Sequence, residues 1–170
     1  AEGSIFKLQD GVLYDSENLI RVLDWQESVV VPEGIKYIGA DAFNAYSTQT
    51  PNNMETLKSI TLPESLVSIG KNAFSACKAL ESITIPKYVS EIGGGAFANC
   101  SSLVTAEILG PVKELTGTTG AFLGCAALKN VTLPDTLTNI GTGTFNGCTS
   151  LERIDLPAGL TEIGREAFNG

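Results

Sequence analysis

The sequence contains no histidine. That absence removes Ser-His-Asp and Cys-His catalysis and most catalytic zinc sites, all of which rest on an imidazole that ligates or changes charge near neutral pH. Basic residues are also few, 11 against 19 acidic ones, for a net charge of −8 and a pI near 4.5. A nucleic acid or an anionic membrane surface needs a positive footprint, so neither is expected as a partner. Long apolar runs are missing too. The longest uncharged stretch, Thr136 to Leu151, has sixteen residues rich in Thr, Asn, Ser and Gly, against the eighteen or so apolar residues of a membrane span. Direct membrane insertion is therefore not expected. No basic start followed by an apolar stretch marks a signal peptide. Phosphate-cradling loops fail as well: Gly93-Gly94-Gly95 and Gly141-Thr142-Gly143 carry neither a following lysine nor the G-x-G-x-x-G spacing.

What is present describes one packed domain. With 170 residues, 43% hydrophobic and 18% charged, the chain can bury a core and falls outside the disordered class. Eighteen glycines without a three-residue period serve as turn punctuation in a chain that turns often.

The sequence repeats. Phenylalanines recur at Phe43, Phe74, Phe97, Phe122, Phe145 and Phe168, in steps of 31, 23, 25, 23 and 23, each preceded by Ala except at Thr144. Around each lies one frame: Leu57-Lys-Ser-Ile60-Thr-Leu62-Pro63, then Leu66, Ile69-Gly70, Ala73-Phe74 and Cys77. Alternation of period two places Ile60 and Leu62 inside and Ser59 and Thr61 on the surface of a short strand. Pro63 ends it, lacking the N–H a ladder needs. Leu66 and Ile69 supply a second short apolar segment, with Gly70 as the turn beside it. Ala73-Phe74 marks a helical or 3₁₀ turn with the ring driven inward.

Two copies depart from the frame. The first, Gln26 to Thr56, carries about eight extra residues between Asn44 and Glu55, rich in Ser, Thr, Asn and Gln with one Pro, which implies a projecting loop. The fourth, from Leu103, has Leu109 for the proline, Thr116 for the glycine and two added residues within Gly117 to Gly120, so it should bulge. The last begins at Leu151 and reaches Gly170, which gives an incomplete final coil. Upstream, Ile5 to Leu8 and Val12 to Tyr14 flank Asp10-Gly11, a hairpin signal, and Trp25 follows at the edge. The expected organisation is a β cap over 1–25 and about six coils of a solenoid over 26–170.

The period and the L-x-x-I-x-L opening fall in the leucine-rich repeat window. The continuation L-x-x-I-G-x-x-A-F-x-x-C resembles the BspA-like, or Treponema pallidum type, leucine-rich repeat family over roughly Gln26 to Gly170. Its expected fold is an α/β repeat solenoid: short parallel strands on one wall, irregular, 3₁₀ and short strand segments on the other, and a small hairpin cap. The resemblance implies a bacterial protein that is secreted or displayed at the cell surface, and adhesion is known for some members. The partner it points to is a protein: a host or matrix protein, or another cell-surface protein.

Each remaining cluster of polar or reactive residues has a structural explanation to beat. Cys77, Cys100, Cys125 and Cys148 occupy one repeat position and form a column. Thiols in successive coils cannot converge tetrahedrally on a metal, so buried free thiols are favoured over Cys77–Cys100 and Cys125–Cys148 disulfides. No cofactor or metal is expected. The outward rows are Ser28/Val30, Ser59/Thr61, Ser82/Thr84, Thr105/Glu107, Asn130/Thr132 and Arg153/Asp155. As a solvated strand face they suit the pleat; as a binding strip they offer hydroxyls and a charged end at Glu107, Arg153 and Asp155. They include no aromatic, so a glycan fits this strip less well than a protein does. Glu107 and Asp155 as a glycosidase pair would sit two coils apart without a cleft. The expectation is thus a non-catalytic binding or adhesion module, with a spacer that presents another domain as the alternative.

Overall fold

The computed structural model describes residues 6–9, 11–23, 26–44 and 56–170. Most of the first copy's extra loop, at 45–55, and Trp25 lie outside these residues. The chain winds as a stack of coils, coil 1 over 26–56, then 57–79, 80–102, 103–127, 128–150 and 151–170.

Ahead of the stack, β1 (Lys7–Gln9), β2 (Val12–Tyr14) and β3 (Asn18–Val22) form an antiparallel meander. Gly11 takes the left-handed conformation (φ 73°) that the tight connection requires. Asp15 pins the next turn by accepting N–H bonds from Glu17 and Asn18 at 2.9 and 2.8 Å. Those donors, Glu17 first, hold its carboxyl below the ordinary carboxylate range. β3 then runs parallel to the first coil, so the cap is an extension of one wall of the stack.

Each full coil has three sides. The first wall carries β4 (Ser28–Val30) in coil 1, and the second wall carries β5 (Tyr37–Ile38). Coil 2 repeats this with β6 (Ser59–Thr61) and β7 (Ser68–Ile69), and coil 3 with β8 (Ser82–Ile85) and β9 (Glu91–Ile92). Coil 4 has β10 (Thr105–Ile108) and β11 (Glu114–Leu115), and coil 5 has β12 (Asn130–Thr132) and β13 (Asn139–Ile140). In coil 6 only the second wall has a strand, β14 (Glu162–Ile163). Where strands of successive coils pair, they do so parallel and in register, Ser82↔Thr105↔Asn130 for example. No helix among the described residues is long and apolar enough to cross a membrane.

The third side consists of turns around the phenylalanines, in place of the helical turn expected from Ala-Phe. Residues two before and two after the ring are repeatedly left-handed: Asn72 and Ala76 (φ 53° and 60°), Gly95 and Asn99 (70° and 61°), Gly143 and Gly147 (63° and 77°). This alternation turns the N–H groups of each turn toward the following coil. Asn72, Phe74 and Ala76 N–H donate to Gly94, Ala96 and Ala98 C=O at 3.1, 2.7 and 2.8 Å, and the pattern recurs at every coil interface.

The core is one column per repeat position. Leu57, Leu80, Leu103 and Leu128 are wholly buried, as are Phe43, Phe74, Phe97 and Phe122. The rings stack along the axis with centroids 4.6 to 5.5 Å apart from Phe43 to Phe168, within the range where aromatic pairs add about 1 kcal/mol beyond their area. Thr144 replaces Ala in this layer without an orphaned hydroxyl. Its Oγ1 lies 2.8 Å from Gly141 O and 3.1 Å from Leu115 O.

The Ile-Gly glycine has a different cause from the one the sequence implied. Gly70 is absent from the left-handed region. What it meets is backbone: a Cβ there would stand 2.6 Å from Ala40 N and 2.7 Å from Gly39 C. The glycine is needed because successive coils approach too closely for any side chain.

Candidate functional site: the first wall

On the first wall, alternate side chains leave the core and stand in rows across the coils. Ser28 pairs with Ser59 and Val30 with Thr61, while Thr84, Glu107 and Thr132 share a second register. Ser59, Thr61, Ser82, Thr84, Asn130 and Thr132 are exposed, and Thr105 and Glu107 half-buried. The hydroxyls bond along the stack: Ser59 Oγ lies 3.0 Å from Ser28 Oγ, and Thr84 Oγ1 donates to Glu107 Oε2 at 3.3 Å. Eight of the ten residues expected to form a surface are therefore on paired strands.

Arg153 and Asp155 are arranged differently. Coil 6 carries no first-wall strand, and the two side chains, each 84% exposed, pair with one another at 2.8 Å. That hydrogen bond, reinforced by the carboxylate charge, raises the pKa of the guanidinium. They form a self-neutralised pair at one end of the wall, beside a groove of about 540 Å³ lined by Asn130, Thr132, Ser150, Glu152, Arg153 and Asp155. Asp155 lines that groove and Glu107 does not.

A rim of charge escaped the sequence reading. The residue after each opening leucine is Lys58, Glu81, Lys129 or Glu152, with Glu27 in the first coil and Val104 interrupting the series. Lys58 Nζ sits 2.8 Å from Glu27 Oε2, and this bond, with the carboxylate's charge, raises the pKa of the lysine. The signal was available, because Leu-Lys, Leu-Glu, Leu-Lys and Leu-Glu recur at the repeat period.

The cysteine column is structural. All four thiols are free and buried. Each reaches the carbonyl of a phenylalanine in the preceding coil, Cys100 Sγ to Phe74 O at 3.2 Å and Cys125 Sγ to Phe97 O at 3.1 Å. Burial pushes the Cys77 thiol up, and it lifts Cys148 to about 12, so neither is a nucleophile near neutral pH. Among the described residues no group of three carboxylate or thiol side chains could hold a metal ion. What the wall offers is a regular array of hydrogen-bonding groups.

A parallel-stranded stack with one ring per turn of about 23 residues, and a glycine and a thiol recurring at fixed places in most turns, is a leucine-rich repeat solenoid. More narrowly, the chain belongs to the BspA-type leucine-rich repeat family, whose model matches it in six copies over residues 24–118 and 52–170. A leucine-rich repeat protein from Eubacterium ventriosum is 26% identical, with a TM-score of 0.71 over 97% of this chain and 49% of its own. A leucine-rich cell surface protein from Faecalibacterium prausnitzii is 25% identical, with a TM-score of 0.58 over 96% and 49%. The leucine-rich repeat protein of Treponema pallidum shares the fold, with a TM-score of 0.53 at 23% identity over 86% of each chain. This chain thus spans about half the length of the first two. No curated protein matches it.

Proposed function

We propose that the chain is a non-catalytic protein-binding module of a secreted or cell-surface bacterial protein, a cap over 1–25 followed by the repeat stack over 26–170, and that its first wall is the contact surface. The observation that supports this is the run of Ser59, Thr61, Ser82, Thr84, Thr105, Glu107, Asn130 and Thr132 side chains, held in register on paired strands and spent on nothing in the core. Within each set of paired strands the array is held with little left to order on binding, which lowers the cost of engaging an extended partner. The cell-surface description of the Faecalibacterium protein supports the location. Adhesion to a host or matrix protein is the specific form of this proposal. A spacer that holds another domain away from the cell is the second form, favoured by relatives twice as long as this chain.

The test immobilises the chain beside two variants, Ser82→Arg/Thr132→Arg and Arg153→Ala/Asp155→Ala, and exposes all three to host extracellular extract. A protein retained by the parent and lost from the first variant is the expected result. Loss from the second variant as well extends the contact to the end groove. Equal retention by all three removes the first wall from the contact, and retention of nothing favours the spacer.

A further inference from the structure

The three sides of the stack are not equally continuous. On the turn side every interface between coils is bonded, from Phe43 N–H on Ala73 O at 2.7 Å to Phe145 N–H on Ala167 O at 2.7 Å. The stacked rings run the same length. Both strand walls are interrupted.

On the first wall β4 and β6 form one sheet and β8, β10 and β12 another. No ladder joins β6 to β8, and ahead of the two strands Glu81 N–H donates to Lys58 O at 3.2 Å. Between coils 5 and 6 the described main chain has no bond from Ser150 N–H on Ala126 O until Thr161 N–H on Thr138 O. On the second wall β9 ends one sheet and β11 begins the next. Across the neighbouring interface, Thr138 and Asn139 N–H bond to Lys113 O and Gly141 N–H to Leu115 O. Lys113, Glu114 and Thr116 have no corresponding main-chain bond to coil 3.

Three grooves coincide with the three interruptions. One of about 320 Å³ is lined by Thr61, Leu62, Ser82 and Thr84, the 540 Å³ groove lies between coils 5 and 6, and one of about 630 Å³ is lined by Ser90, Glu91, Lys113, Glu114 and Thr116. For the last the sequence supplies the cause. Thr116 stands where the other coils have the Ile-Gly glycine, and at Gly93 and Gly141 a Cβ would come within 2.5 and 2.7 Å of the preceding coil's backbone. A threonine cannot dock there, so the second wall of coil 4 stands off from coil 3 over Lys113 to Thr116, and the coils close again at Gly117, where a Cβ would stand 2.6 Å from the Gly94 Cα.

We propose that the stack flexes at these three seams, each opening on one strand wall only, about a hinge made of the phenylalanine turns and the opposite wall's intact ladder: β7 on β9 between coils 2 and 3, β8 on β10 between coils 3 and 4, and β13 on β14 between coils 5 and 6. The first wall is then not one rigid strip. It is a plate of coils 1 and 2, a plate of coils 3 to 5 and the separate coil 6, whose mutual angle adjusts while the spine stays bonded. This motion needs no partner, so its test is independent of the binding proposal.

The experiment measures the distance distribution between spin labels carried on bio-orthogonal residues replacing Glu33 and Ala158, five coil steps or roughly 25 Å apart at the usual strand spacing. It is recorded in the full chain with Ser59→Cys/Ser82→Cys bridged across the seam by a short bis-electrophile, and again with Ser82→Cys/Thr105→Cys bridged inside a plate. Buried native thiols leave the introduced pair as the reactive one. A broad distribution that loses its flanks with the first bridge and keeps them with the second is expected. A distribution already narrow without a bridge, or narrowed equally by both, overturns the proposal. Thr116→Gly provides a second readout: amide exchange at Lys113 and Glu114 should slow as the second wall closes, and unchanged exchange there would refute the assigned cause.

Discussion

Replacing Gly70 by alanine tests the claim that coil spacing, not backbone conformation, makes this position a glycine. The new Cβ would stand 2.6 Å from Ala40 N, 2.7 Å from Gly39 C and 2.9 Å from Ile38 O, all backbone atoms of the preceding coil and its corner. Ordinary contact needs about 3.4 Å or more, so the two coils must part by most of an ångström. Bonds held at that interface are Gly70 N–H on Ile38 O at 2.8 Å and Val67 and Ser68 N–H on Lys36 O at 2.8 and 3.2 Å. Weakening two of them costs about 2 kcal/mol, and the residual strain about 1 to 3 kcal/mol more. Stiffening of the unfolded chain by alanine returns about 0.5 to 1 kcal/mol. A net loss of about 3 kcal/mol is expected, which for a domain of this size lowers Tm by roughly 6 to 12 °C. Urea and thermal unfolding followed by circular dichroism read it. Thr116→Ala is the internal control: the equivalent site already holds a side chain, so the cost should stay below about 1 kcal/mol. If Gly70→Ala lies within about 0.5 kcal/mol of the parent, or Thr116→Ala costs as much, the close-approach argument is wrong.

Other expectations follow from the spine. Phe97→Ala removes a ring stacked at 5.2 and 5.3 Å on its neighbours and should cost about 3 to 5 kcal/mol in chemical unfolding; a loss below 1 kcal/mol would contradict the packed column. Thr144→Val keeps the shape but removes the hydroxyl that reaches Gly141 and Leu115 carbonyls, and about 1 kcal/mol should be lost. The four thiols should resist a water-soluble disulfide reagent in the native protein and all react in denaturant. Cys77, Cys125 and Cys148 have thiol pKa values raised in the folded state, by burial at Cys77 and Cys148 and at Cys125 by hydrogen bonding to Cys100 and burial, from an ordinary value of 9.0. Only the unfolded chain then releases their protons just above pH 9. Stability due to these thiols is therefore complete below pH 9 and falls as pH rises toward 12, by up to about 1.4 kcal/mol per unit for each thiol. Cys77→Ala should flatten that slope, and an unchanged slope would assign it to other groups.

Most of the core could be read directly from the sequence. Leu57, Leu66, Ile69, Ala73, Phe74 and Cys77 recur at the coil period, and a stack with no other way to bury its apolar face puts equivalent positions in columns. The outward rows followed from the two-residue alternation, and the buried free cysteines from their shared position. Three things could not be read this way. The turns at Asn72 and Ala76 are left-handed; asparagine is enriched in that region, but alanine there carries no sequence mark. The interruptions of both walls depend on how adjacent coils seat, and only at Thr116 does one residue signal it. The detachment of Arg153 and Asp155 from the sheet is likewise a matter of seating, so their periodicity implied a strand that coil 6 lacks. The loop at 45–55, proposed from its composition as a projecting element, lies outside the described residues.

Native-state hydrogen exchange resolved by residue tests the central claim, a bonded turn spine with interrupted strand walls, most directly. Phe74, Phe97, Phe122 and Phe145 amides should exchange slowest, together with the neighbouring turn donors Asn72, Ala76 and Asn99. Amides of Lys113, Glu114 and Thr116 should exchange orders of magnitude faster. Slow, uniform exchange along both strand walls with rapid exchange in the phenylalanine turns would contradict it.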